Sequence, residues 1–294
     1  MAIWSGNAIT FATSTTIGTT PYGLFVDRNN MVYVADQTNS RVQVWLEGTN
    51  APTRTLSNDL NNTYSVFVTI NGDIYVDNGY SYSRVDRWIS DGTKDNLIIP
   101  VKDTCYGLFV DVQNNLYCSM FTRHQVLMKP LAVDSSLWII AAGTDCSGSA
   151  SNTLYNPRGI FVDTDLNLFV ADCGNNRVQK FFSNQVNAIA VAGNGATGTV
   201  SLSCPSGVVL DGDGYLFIVD SNNHRIVASG PNGFRCIVGC STNAGSSSSQ
   251  LNYPSDLKFD SYGNIYVTDT SNSRVQKFLL IPNVTYRMYL HYFY

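Results

Sequence analysis

The 294-residue sequence predicts an all-β fold, a six-bladed β-propeller of four-stranded antiparallel blades, on three observations. The same text recurs six times, starting near residues 21, 63, 105, 157, 205 and 254. Spacing inside a copy is tighter than the period. Counted from the Gly-like third residue of each unit, Asp36, Asp172, Asp220 and Asp269 fall 13 residues on, and Arg41, Arg177, Arg225 and Arg274 fall 18 on. Each copy also alternates apolar and polar residues in short runs divided by Asx- and Gly-rich turns, the period-two pattern of strands. Four such strands in a repeat of about 40–50 residues make a propeller blade.

In the first copy the pattern places strand a at 23–27, b at 32–35, c at 41–46 and d near 53–57. Later d strands are expected at 96–99, 137–142, 187–192 and 234–239. The starts lie 42, 42, 52, 48 and 49 residues apart, so length varies in one connection, after the third strand, where a surface loop tolerates insertion. The sixth copy has no d strand of its own, because Phe278 is followed closely by Ile281-Pro282. Residues 7–12 (NAITFA) mirror 187–192 (NAIAVA) in blade four. The N-terminus is therefore expected to supply the outer strand of blade six, closing the ring and covering an open edge. Residues 1–281 form one propeller on this reading, and 282–294 an aromatic tail without an assigned role.

Composition agrees with a β-biased globular chain: 44% hydrophobic residues, 17 tyrosines and 14 phenylalanines, with only 14% charged. Glu47 is the single glutamate, against 21 aspartates, which favours turns over long surface helices. The net charge is −4 with no block of like charge, so a nucleic-acid partner is not expected. No apolar run reaches the roughly 18 residues that span a bilayer. Residues 1–18 show neither the basic start nor the apolar stretch of a signal peptide.

The unit Pro-x-Gly-Ile/Leu-x-Val-Asp, then Tyr/Phe-Val-x-Asp, then Asn-x-Arg-Val resembles the NHL repeat, and Asn223-His224-Arg225-Ile226 nearly spells its name. The resemblance runs from Pro21 to Phe278 and is weakest in blades two and three. Asn78 stands there for the strand-b aspartate with an extra residue before Arg84, and Met120 and Gln125 replace the Asp/Arg pair. It implies the propeller fold and leaves function open. Similar propellers occur in ubiquitin ligases, where some bind RNA, in the peptidyl-amidating lyase and in extracellular receptors.

The recurring Asp36/Arg41, Asp172/Arg177, Asp220/Arg225 and Asp269/Arg274 pairs read as fasteners of the b–c turn, since an active site is usually made once. The alternatives that the resemblance offers are a metal-dependent lyase or lactonase, or an RNA-binding NHL domain of a ubiquitin-ligase-type protein. Histidines are limited to His124, His224 and His291, and Glu47 falls at the outer end of strand c. No catalytic constellation, metal or cofactor is expected. The residue between Pro and Gly reads Tyr22, Tyr64, Tyr106, Arg158, Ser206 and Ser255 around the ring. The three tyrosines with Arg158 form a crescent at the channel mouth suited to a protein or glycan partner. The expected module is thus a non-enzymatic scaffold, monomeric, binding through the face of d–a and b–c loops. Seven cysteines without a Cys-x-x-Cys zinc pattern suggest bridges Cys146–Cys173 and Cys105–Cys118. With possible glycosylation at Asn61 and Asn283, they point to an extracellular chain, a cytoplasmic one being the alternative.

Overall fold

The computed structural model describes residues 2–132 and 137–282, so Asn283, His291 and the tail fall outside the described residues. Six four-stranded antiparallel sheets follow one another around a ring. Their inner strands touch in sequence, and that of blade six packs back on blade one. Blade four shows the unit cleanly: strands Pro157–Val162, Leu168–Asp172, Arg177–Phe181 and Ala188–Gly193, from the channel outward. The other outer strands lie at Arg54–Leu56, Lys94–Pro100, Ile139–Gly143 and Arg235–Val238, within a few residues of expectation.

The motif glycine is explained by how closely blades approach. A Cβ on Gly23 would meet the Tyr64 carbonyl oxygen at 2.6 Å, and one on Gly159 the Ser206 carbonyl oxygen at 2.5 Å. Both obstacles are backbone of the next blade, so a side chain there forces the blades apart.

The sixth blade is completed from the N-terminus. Ile9–Thr13 pairs antiparallel with Arg274–Phe278, outside Ile265–Asp269 and Leu257–Phe259. A further pair, Ile3–Trp4 with Leu280–Ile281, extends the closure. Trp4 is buried, 5.4 Å from the Phe217 ring of blade five, and its indole N–H donates to the Gly263 carbonyl at 2.8 Å. Phe11 packs between Tyr266 of blade six and Trp45 of blade one. This seam has its own buried cluster, including Ile17, Leu24, Trp45 and Val275. On the opposite face Glu47 locks the same seam, accepting from Asn30 Nδ2 at 3.1 Å and from the Tyr262 hydroxyl at 2.9 Å.

Three disulfides are present. Cys105–Cys118 joins strands a and b of blade three, as expected from the sequence. The expected Cys146–Cys173 bridge is not formed: Cys173 bonds Cys204, and Cys146 is an exposed free thiol. The physical reason is that the residue just before strand a of each blade sits on the preceding blade's b–c turn. There Asn176 Oδ1 accepts the Cys204 N–H at 2.8 Å, setting Cys204 beside Cys173. Cys236–Cys240 closes the short loop around Val238 and Gly239 and was not anticipated. Asn61 lies half-buried in the connection from blade one to blade two.

Candidate functional site

The four Asp/Arg pairs stay within their blades. Each aspartate is fully buried, and each arginine Nε donates to it, at 2.7 Å for Arg41 and Arg177, 2.8 Å for Arg225 and 2.6 Å for Arg274. An asparagine three residues after each aspartate donates to the same carboxylate. The remaining guanidinium nitrogens take backbone carbonyls of the connection that leads into the blade, for Arg177 those of Ser149, Ala150 and Thr153. A forked, permanently charged donor set suits this task.

The residue before each motif arginine, and before Gln125 that replaces it in blade three, forms a second fastener, between blades. Ser40 accepts from the Asn62 N–H and Asn176 from that of Cys204. His124 Nδ1 accepts from Asn156 N–H at 3.2 Å, and His224 Nδ1 from Tyr253 N–H at 3.1 Å. The two described histidines are thus occupied in blades three and five. Among the described residues no three His, Cys, Asp or Glu side chains gather to hold a metal.

Blade two departs as its sequence suggested. Its extra residue turns the tight b–c turn into one turn of α-helix, Gly79–Tyr82, where blades four to six have 3-10 turns. Arg84 pairs with Asp86 instead, at 2.9 Å. Asp77 is left fully buried, accepting from the backbone N–H groups of Cys105, Tyr64 and Gly79. Burial pushes its carboxyl up to about 7, the three N–H donors opposing. Asp211 is likewise raised by burial to about 6, and Asp27, Asp172 and Asp269 shift in the same direction for the same reason. Such groups hold protons more tightly in the fold than in the unfolded chain. Their contribution is complete below the unfolded carboxylate value of about 4 and is lost as pH rises to about 7. The urea midpoint is expected to fall between about pH 4.5 and pH 8. Asp77→Asn, whatever its overall cost, flattens that slope; an unchanged slope in the variant contradicts the assignment to Asp77.

At the channel mouth the tyrosines do more than line a rim. Tyr22, Tyr64 and Tyr106 lie with ring centroids 5.1 Å (22–64), 4.3 Å (64–106) and 5.6 Å (22–106) apart. Blades one and three are not neighbours, so the rings meet above the channel as a cluster. Tyr106 stacks on Phe121 at 4.7 Å, and the Arg158 guanidinium lies 5.6 Å from that Phe121 ring. Burial raises the Tyr22 phenol against the opposing charge of Arg158, and burial with a hydrogen bond to Tyr64 raises Tyr106. Across the ring Ser206 and Ser255 are buried, donating to the carbonyls of Pro254 and Tyr22.

Beneath this cluster the channel narrows to a cavity of about 30 Å³, room for about one water molecule. Phe25, Phe67, Phe109 and Phe161 occupy one repeat position on successive blades, with successive ring centroids 4.9, 4.9 and 5.2 Å apart. Val209 and Lys258 take that position in blades five and six. Lys258 Nζ lies 2.8 Å from Asp256 Oδ1, and Asp256 Oδ2 accepts the Leu24 N–H at 3.0 Å. Asp256 occupies the motif-glycine position of blade six. This pair occurs once, and sequence reasoning passed over it. The signal was there: in a repeat protein the charged residue that breaks the repeat at a channel-facing position stands out.

The NHL repeat model matches residues 154–181, 202–228 and 251–278, which are blades four, five and six. No curated protein matches the sequence significantly. Among solved structures, a Bacteroides thetaiotaomicron protein of unknown function is similar at a TM-score of 0.75 and 16% identity, covering 94% of this chain and 76% of its own. An auxiliary nutrient binding protein from Bacteroides ovatus gives 0.71 at 16% identity, covering 95% and 73%. The virginiamycin B lyase of Staphylococcus aureus gives 0.64 at 12% identity, covering 93% and 98%. Identities this low show the fold and leave the activity open. Six repeats read from the sequence, six closed blades and three repeats matched by the family model converge: the chain is a six-bladed β-propeller whose blades four, five and six are NHL repeats.

Proposed function

We propose that the propeller is a non-enzymatic binding module that seats a protein or glycan ligand on the channel-mouth face. The observation that carries this reading is the gathering of Tyr22, Tyr64, Tyr106, Phe121 and Arg158 into one half-exposed patch. Aromatic rings with polar tips supply contact area at low entropic cost, and a guanidinium adds directed hydrogen bonds. Arg158 Nε is buried without a protein acceptor. A cavity of about 30 Å³ below the patch favours surface recognition over a substrate drawn into the channel. The similar structure from Bacteroides ovatus is an auxiliary nutrient binding protein, a binding function carried on the same fold. Three disulfides favour an oxidising, extracellular setting, and no helix among the described residues is long and apolar enough to cross a membrane.

The second reading, a lyase- or lactonase-type enzyme, rests on the Asp256–Lys258 pair, made once and facing the channel. One experiment separates the two. Purified protein is screened against a glycan array and a panel of secreted proteins, alongside the Tyr22→Ala/Tyr106→Ala variant. The binding reading expects the ligand found to lose affinity by about thirtyfold in the variant, the scale of an interfacial hot spot. Affinity unchanged in a folded variant removes the mouth as the site. A stoichiometric zinc or calcium in the purified protein returns the enzyme reading.

A further inference from the structure

On the face opposite the mouth, built from a–b and c–d turns, the seam between blades one and two stays open as a cleft of about 850 Å³. That is within the range of small-molecule sites. The corresponding seam between blades six and one is closed by Glu47 with Asn30 and Tyr262. Phe25, Tyr33, Val44 and Val68, all buried, form an apolar floor. On one wall stands Arg54 of strand Arg54–Leu56, and on the other the turn carrying Ile70, which is 52% exposed despite its apolar side chain.

The polar groups in this cleft are few and convergent. The Tyr33 hydroxyl donates to Asp27 Oδ2 at 3.3 Å, leaving that carboxylate engaged. Arg54 reaches toward the Gly92 turn of blade two, where even a Cβ would fall 2.6 Å from Arg54 Nη1. Its Nε is buried and has no hydrogen-bond partner. A buried donor left unpaired is costly, and an anionic acceptor is the group that relieves it best. With Arg28 on the same lining, two cations stand against the engaged Asp27 carboxylate, while the exposed Asp91 of the Gly92 turn lies near enough to feel the Arg54 charge from the rim.

We propose that this cleft is a second binding site, for a small amphipathic organic anion whose apolar body lies on Phe25 and Tyr33 and whose acidic head meets Arg54. The site is independent of the mouth. The test uses two fluorescent probes that share an apolar body, anionic 1-anilinonaphthalene-8-sulfonate and uncharged N-phenyl-1-naphthylamine, titrated into the folded chain. The sulfonate is expected to bind saturably at one site per chain. Arg54→Gln weakens it by about tenfold or more, as for a lost charge-assisted hydrogen bond, and leaves the neutral probe within about twofold. Ser90→Trp, which places an indole in the opening, abolishes both; Tyr106→Ala at the mouth changes neither. The proposal is overturned by absent or non-saturable sulfonate binding, by equal affinity in Arg54→Gln, or by binding that survives Ser90→Trp. Loss of binding in Tyr106→Ala moves the probe to the mouth and overturns it equally.

Discussion

Removal of residues 1–13 is expected to leave a chain that does not fold to a stable monomer. Three losses coincide in that segment. The strand Arg274–Phe278 loses its outer partner Ile9–Thr13 and becomes an open edge, a template for pairing with other chains. Trp4 leaves a buried site between blades five and six, where a truncated tryptophan costs about 3–5 kcal/mol. Phe11 vacates the packing between Trp45 and Tyr266. Whole-domain stability is about 5–15 kcal/mol, so these losses consume most or all of it. The check is size-exclusion chromatography with near-UV circular dichroism of the truncated chain, beside a permuted chain that starts at Ser14 and carries residues 1–13 after residue 281. Aggregation of the first with native behaviour of the second is the expected pair of results. A truncated chain that stays monomeric and melts like the parent would show that the N-terminal strand is dispensable to closure.

That the N-terminus closes blade six was legible because residues 7–12 repeat the text of 187–192, and a strand's text carries its period and its edge. The fasteners were legible for the same reason: Asp172 and Arg177 recur at fixed offsets wherever the turn recurs. What escaped were contacts between blades, whose partners are set by ring geometry and not by position along one copy. Cys173 was expected to pair with Cys146 in the connection before its own blade, yet the chain returns to its turn at Cys204, at the threshold of the next blade. Tyr22 and Tyr106 read as separate points on a rim, whereas strands converging on the axis bring them to 5.6 Å. Asp256 and Lys258 were hidden by the habit of aligning copies, which treats a charged residue at a glycine position as wear. Glu47, placed by the sequence at the outer end of strand c and away from any metal site, serves the seam between the first and last blades.

Substituting Arg177 with methionine should be the most damaging single change among the motif arginines. Its side chain is 9% exposed, against 27% for Arg41 and 18% for Arg225. It satisfies one buried carboxylate and three carbonyls, as Arg274 does at 13% exposure, whereas Arg41 and Arg225 each reach one carbonyl. Methionine keeps most of the apolar stem but leaves Asp172 buried with only Asn175 and the Tyr155 N–H for partners. Breaking a buried pair from one side costs about 3–5 kcal/mol, which at the usual scale for chains of this size lowers Tm by about 10 °C. Arg41→Met, whose charge is better exposed to solvent, should cost less than half as much. The double variant Asp172→Asn/Arg177→Met should recover part of the loss, because the penalty lies in the unpaired carboxylate more than in the missing contact. Thermal melts of the three variants read this order directly, with mouth ligand affinity as a control that stays constant. If Arg177→Met instead left Tm unchanged and abolished ligand binding, the motif pair would be a recognition group. The account of repeated charges as fasteners would then fail, and the fourfold repetition would need a functional cause in place of a mechanical one.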